Sequence, residues 1–191
     1  FHLNPDTCKL KLPSMSIATQ TGDEGTTGMM FNRRIPKTHP QVEAYGSVDE
    51  LNAALGLCLS FCNNPWLPGK IHHVQKELVT LMGELAVLPG DRGKYKEKGF
   101  QFVFPAMVEQ LTLWVHEIEK QGIKYEGWAT PGKTQLSAFL DSARTACRRA
   151  ERRVAALGAD FQKLNPEILR YLNRLSDLLW LFARKVEAET K

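Results

Sequence analysis

Residues 166–189 read PEILRYLNRLSDLLWLFARKVEAE. Ile168, Leu172, Leu175, Leu179, Phe182 and Val186 recur at steps of three and four, the spacing that lines one face of an α-helix. Asn165 suits the N-cap and Pro166 the first turn, so the helix has a defined start. A stripe this long cannot stand alone in water and needs other helices to cover it.

Working backwards, the sequence supplies four such helices. From about Thr134 to Leu157, the residues Leu136, Phe139, Leu140, Ala143, Cys147, Ala150 and Val154 form one apolar face. A helix opening near Pro105 carries Met107, Leu111, Trp114, Val115 and Ile118. Another carries Ile71, Val74, Leu78, Leu81, Met82 and Leu85 and stops at Pro89-Gly90. The first, from Gln41, carries Val42, Tyr45, Val48, Leu51, Leu55 and Cys58 and is broken by Asn63, Asn64, Pro65, Pro68 and Gly69. Residues 90–104 and 121–134 read as polar loops, the second containing Tyr125, Trp128, Pro131 and Gly132. Residues 1–40 show no sustained period, and nothing alternates as a strand does. The expectation is an all-α fold, a five-helix antiparallel bundle.

The bulk properties bound the reading. A chain of 191 residues, 43% hydrophobic and 24% charged, fits one globular domain with a real core. We expect that domain over 19–191, preceded by a tail or extension over 1–18; Met15 lies just ahead of the first motif. No apolar run reaches the ~18 residues of a membrane span, and no charged segment followed by an apolar core marks a secretory leader. A net charge of +4 is too small to imply nucleic acid, which points to a cytoplasmic protein without nucleic-acid or membrane partners. Cys8, Cys58, Cys62 and Cys147 form no C-x-x-C pair, and buried reduced thiols fit them better than a metal site with His72 or His73.

Three clusters could carry chemistry. Thr21-Gly22-Asp23-Glu24-Gly25-Thr26-Thr27, followed by Arg33, Arg34 and Lys37, has the makings of a phosphate-wrapping loop. Glycines admit an anion close to backbone amides, hydroxyls donate, an acid can help hold Mg²⁺, and Lys37 adds a point charge. The same residues are compatible with a plain acidic turn, and they do not form a G-x-x-x-x-G-K-[ST] loop. Five arginines lie between Arg144 and Arg153. At helical spacing Arg144, Arg148 and Glu151 share one face, with Arg152 beside it, while Arg149 and Arg153 lie on another. A triphosphate would compensate the first group; internal Glu–Arg pairs on a solvated face would do so too. Asn173 and Asp177 share a face of the last helix and need partners there, as Asp49 does in the first helix.

Taken together, these segments resemble the PduO-type ATP:cob(I)alamin adenosyltransferases. The matching stretches are Thr21-Gly22-Asp23-x-Gly25-Thr26-Thr27, Pro36-Lys37, and Glu43-Ala44-x-Gly46-x-Val48-Asp49-Glu50-Leu51-Asn52. They continue through Arg144-x-x-Cys147-Arg148-Arg149-Ala150-Glu151-Arg152-Arg153 to Leu172-Asn173-Arg174-Leu175-Ser176-Asp177, in the family's order, over about residues 19–187. The resemblance implies a ferritin-like, homotrimeric bundle with active sites between subunits. It assigns Thr21, Gly22, Asp23, Gly25, Thr26, Thr27 and Lys37 to ATP from one subunit, and Arg148, Glu151 and Asn173 to the same ATP from its neighbour. Asp49 would pair with Arg144 across the boundary, and these two with Arg148 form the implied catalytic set.

The implied reaction is attack of Co(I) on the 5′ carbon of ATP, with release of triphosphate. The implied ligands are ATP with Mg²⁺ and cobalamin as substrate, with no direct protein metal site. An electron-donating reductase and an adenosylcobalamin-dependent acceptor enzyme are the implied partners. Where the family has Phe-x-Leu-Pro-Gly-Gly, this chain has Trp128-Ala129-Thr130-Pro131-Gly132-Lys133. The resemblance therefore places Trp128 at the lower corrinoid face. Glu24 also stands where lysine is common. The alternative expectation is a carrier or sensor of the same fold that binds corrinoid or ATP without catalysis.

Overall fold

The computed structural model describes residues 20–123, 128–158 and 164–190. The expected tail over 1–18 and Tyr125 lie outside the described residues. Among the described residues the fold is mostly helical, with six α-helices: α1 (Pro40–Ser60), α2 (Leu67–Leu85), α3 (Arg92–Glu97), α4 (Pro105–Glu119), α5 (Gln135–Leu157) and α6 (Pro166–Glu189). Ahead of them, β1 (Thr26–Met29) and β2 (Arg33–Pro36) form a small antiparallel hairpin, with Thr27 opposite Ile35 and Met29 opposite Arg33.

The five long helices stand where the apolar periods place them. The stripe residues of α6 are all buried, and so are Tyr171, Leu178, Ala183 and Arg184. More than one face of α6 is covered because it packs along both α4 and α5, while α1 packs along α5 and α2. The core joins Leu51 and Leu55, Leu78 and Leu81, Leu111 and Ile118, Leu140 and Cys147, and Leu172 and Phe182. Each large apolar side chain removed from water contributes about 1.5–3 kcal/mol before the entropy of ordering is subtracted.

Two elements correct the sequence expectation. Strands β1 and β2 have four residues each and are mostly exposed or half-buried, so no apolar alternation marks them. Their pairing comes from a tight turn in which Phe31 and Asn32 both take positive φ (60° and 58°). Helix α3, inside the segment read as loop, has six residues and is too short for a period to show. Tertiary contact holds it: Tyr95 stacks on Phe100 at 4.9 Å and meets Phe102 edge-on at 5.1 Å. In addition, α2 begins at Leu67, ahead of the expected start, with Pro68 tolerated in its first turn.

Polar anchors fix the helix ends. Thr134 and Ser137 form a reciprocal capping box on α5 (3.0 and 3.1 Å). Asn165 accepts from Glu167 N at 3.1 Å and donates through Nδ2 to Val103 O at 2.7 Å. The buried Glu84 carboxylate accepts from Arg92 Nη2 (2.7 Å), Val103 N (2.8 Å) and Asn165 Nδ2 (3.2 Å). One charge thus ties α2, α3 and the start of α6 together.

Candidate functional site

The strap over residues 20–25 turns tightly and feeds β1. Asp23 N donates to Gln20 O (3.3 Å), Gly25 N to Gly22 O (3.2 Å) and Lys37 N to Gly25 O (2.8 Å). Gly25 has φ +78°, a conformation that strains other L residues. A Cβ on Gly22 would stand 3.1 Å from Lys37 Nζ, so this glycine lets the Lys37 ammonium lie against the strap.

Arg34 organises the strap from β2. Its Nη2 donates to Thr21 O, to Thr26 O at 3.1 Å and to Thr26 Oγ1 at 2.7 Å, and its Nε also reaches Thr26 Oγ1. The result is an open groove of about 560 Å³ lined by Gln20, Thr21, Asp23, Glu24 and Arg34. Sequence reading grouped Arg34 with the strap but gave it no role; a cation at the second position of a four-residue strand carries no signal of its own.

The hairpin is pinned to the end of α2. Met30 N donates to Ala86 O (3.1 Å), and beside it, from the first turn of α1, Gln41 Nε2 donates to Leu85 O and Val87 O (2.6 and 2.8 Å). Arg33 grips the buried Asp91 carboxylate with both Nε and Nη2 (2.8 and 2.9 Å). That hydrogen-bonded guanidinium holds the Asp91 carboxyl below the usual carboxylate range.

A second face lies on α5 and α6. Asn173 Nδ2 donates to Glu151 Oε1 at 3.1 Å, joining the two helices. Arg148, one turn before Glu151, is exposed and has no hydrogen-bond or ion-pair partner among the described residues. Arg149 and Arg153 lie on another face: Arg149 pairs with Glu50, and Arg153 Nε lies 3.1 Å from Glu43 Oε1. Within one chain, then, the strap is held by Arg34, Lys37 and the end of α2, whereas the Arg148 face is held between α5 and α6.

Asp49 is exposed on α1 and pairs with no arginine of its own chain among the described residues. Arg144 instead meets Asp141, one turn earlier on α5, through Nε–Oδ1 at 3.1 Å. Asp141 and its second partner, Arg184, are buried charges that the apolar-stripe reading passed over. Trp128 is 91% exposed, an unusual position for an indole. Between α4 and α6 a cavity of about 470 Å³ is lined by Ile118, Ile123 and Leu181, with Arg174 and Asp177 at its polar side. Asp177 therefore borders this cavity rather than joining Asn173 and Glu151.

Two thiols, Cys58 and Cys147, are buried. Burial pushes Cys58 up to about 12 and raises Cys147 further, and the Cys147 Sγ donates to Leu172 O at 3.2 Å. Both are protonated at neutral pH and poor nucleophiles.

A family model described as cobalamin adenosyltransferase matches residues 17–186. This chain belongs to the cobalamin adenosyltransferase family. A PduO-type ATP:corrinoid adenosyltransferase from Lactobacillus reuteri, a variant solved with cobalamin and ATP, superposes with a TM-score of 0.81. It is 32% identical, over 90% of this chain and 93% of that one. The corrinoid adenosyltransferase PduO of Citrobacter freundii is 35% identical over 89% of this chain, but the match spans only 49% of that relative. The PduO protein of Salmonella typhimurium is likewise matched over 51% of its length, so the chain spans about half of these two curated relatives. The cobalamin adenosyltransferase of Cupriavidus metallidurans is 37% identical, with 88% of this chain and 86% of the relative covered. The strap, the Arg148 face and Asp49 all fall inside the family match.

Proposed function

We propose that this cobalamin adenosyltransferase-family chain transfers the 5′-deoxyadenosyl group of ATP to Co(I) of cobalamin, giving adenosylcobalamin and triphosphate. The observation that carries the reading is Arg148: a guanidinium with no partner among the described residues, beside a Glu151–Asn173 clasp, on a helix whose Arg149 and Arg153 are paired with glutamates of α1. A triphosphate supplies the missing partner. We take residues 19–191 as the domain, its five long helices as an antiparallel ferritin-like bundle, and the working unit as a homotrimer. In that assembly the strap of one chain closes over the Arg148 face of the next.

In this arrangement Thr21, Gly22, Asp23, Gly25, Thr26, Thr27 and Lys37 receive ATP, and Arg148, Glu151 and Asn173 complete its cradle. Asp23 and Glu24 border the strap groove, a donor set suited to Mg²⁺ held mainly by phosphates. Mg²⁺ there would neutralise triphosphate charge. Asp49, without an ion-pair partner among the described residues, pairs with Arg144 of the neighbouring subunit and locks the boundary. Co(I) is itself a strong nucleophile, so no side-chain base is required. The protein holds the 5′ carbon in line and stabilises the leaving triphosphate through Arg148 and Lys37. Trp128 covers the lower corrinoid face, where an apolar ring excludes an axial ligand. A reductase supplying the electron and an acceptor for adenosylcobalamin are the partners this chemistry needs, and its shielded free thiols suit a reducing cytoplasm.

Anaerobic mixing with ATP, Mg²⁺ and chemically generated Co(I) cobalamin should give the adenosylcobalamin spectrum and stoichiometric triphosphate. No product under full reduction defeats the proposal. A second reading, a corrinoid carrier or sensor, draws on the exposed Trp128 and the nearby Lys133. It predicts corrinoid binding with no triphosphate released.

A further inference from the structure

Behind Arg144 lies a buried relay of charge. The Arg184 side chain, only 2% exposed on α6, donates from Nη2 to Asp141 Oδ2 at 2.7 Å and to Glu187 Oε1 at 3.1 Å. Its Nε lies 3.1 Å from Glu187 Oε2, and its Nη1 is buried without a hydrogen-bond partner among the described residues. Asp141 is 4% exposed, and its other oxygen, Oδ1, accepts from Arg144 Nε at 3.1 Å. Glu187, Arg184, Asp141 and Arg144 therefore form one chain of contacts from α6 through α5 towards the surface.

This arrangement is expensive as packing alone. A guanidinium cannot shed its proton, and burying one together with two carboxylates stabilises no more than apolar residues of the same volume would. What it does provide is direction. Arg184 fixes one oxygen of Asp141, so the carboxylate cannot rotate, and its second oxygen meets Arg144 at Nε. The Nε of Arg144 is spent inward. Its side chain is 25% exposed, and both terminal nitrogens are left without partners among the described residues.

We infer that Asp141 is a positioning residue: braced by Arg184, it fixes the Arg144 guanidinium with its terminal nitrogens presented to a carboxylate of the neighbouring subunit. The inference rests on the role proposed above for Arg144. It goes beyond it by assigning the preorganisation of that contact to a residue that touches neither substrate nor the subunit boundary.

A double-mutant cycle on the intact protein tests it, with adenosyl transfer and thermal midpoint measured for Arg144→Ala, Asp141→Asn and the pair. Asp141→Asn should lower kcat/KM by about ten- to a hundredfold, the scale expected for misplacing a contact group by roughly an ångström. Once Arg144 is alanine, the same change should cost less than about twofold more, because residues acting through one another are not additive. The thermal midpoint should still fall in both backgrounds.

Losses in activity that multiply, or an Asp141→Asn protein with unchanged turnover while Arg144→Ala is impaired, overturn the positioning role alone. Full activity of Arg144→Ala overturns the role of Arg144 and the positioning role with it. Should Asp141→Asn fail to fold, Asp141→Asn combined with Arg184→Gln removes the Asp141 and Arg184 charges together and keeps a hydrogen bond between them. That protein should fold and remain slow; wild-type turnover would show that the relay serves stability only.

Discussion

Helix α5 carries two rows of arginine that differ in one respect. Arg149 and Arg153 each face a glutamate of α1, Glu50 and Glu43. Arg148, one residue away in sequence, forms no ion pair among the described residues, and Arg144 spends only its inner nitrogen, on Asp141. Residue type and helix are shared; what differs is whether the fold supplies the counter-charge. The paired row is complete within the chain and belongs to the α1–α5 contact. The unpaired row leaves cationic capacity that nothing among the described residues satisfies, and its neighbours Glu151 and Asn173 are already aligned beside it.

The largest expected effect comes from breaking the unpaired row. Arg148→Ala should lower kcat for adenosyl transfer by about 10²–10³, the range seen when one preorganised donor to a developing charge is removed. The thermal midpoint should barely move, since Arg148 has no partner among the described residues to lose. Turnover and ATP KM like those of the wild type would place Arg148 with the structural arginines.

Next in size is the strap. Gly25→Val forces a β-branched residue into φ +78° and should raise the ATP KM about tenfold or more, with a smaller change in kcat. An unchanged KM would mean the strap takes no part in ATP binding. Smaller again is the paired row. Arg149→Ala and Arg153→Ala should each cost less than about 1 kcal/mol in chemical denaturation, shrink further in high salt, and leave kcat alone. A loss of turnover comparable to that of Arg148→Ala would erase the distinction between the rows.

Much of this difference was legible in the sequence. The four-residue spacing of Arg149 and Arg153 places them on a different helix face from Arg144, Arg148 and Glu151, and the long helices follow from their apolar periods. What spacing cannot show is who stands opposite. Glu43 and Glu50 become partners of α5 only once α1 packs on it. Asp141 and Arg184 look like ordinary polar positions until helix packing buries them both. The β-hairpin was invisible because its strands are too short and too exposed for alternation, and because a phenylalanine at positive φ sets its turn. Helix α3 escaped for a related reason: its stability comes from Tyr95 against Phe100 and Phe102, not from its own six residues.

The smallest expected effect tests a pair of an intermediate kind, Arg33 with Asp91. Like the paired row it is closed within the chain, but it has a buried carboxylate and holds the strap hairpin to the end of α2. The hydrogen-bonded guanidinium depresses the Asp91 pKa in the folded state below its unfolded value of about 3.9. The contribution of such a group is present above the unfolded pKa and disappears as pH falls through the lower folded one. Thermal unfolding of the wild type and of Asp91→Asn should therefore differ by a constant amount above about pH 5, and the curves should converge below about pH 4. Divergence in acid would give the opposite sign and would mean that Arg33 does not stabilise the charged form of Asp91. In that case the hairpin would owe its place to the Met30 N–Ala86 O hydrogen bond, the buried Met29 and the contacts of the Phe31 ring with Phe100 and Lys94 rather than to the Arg33–Asp91 ion pair.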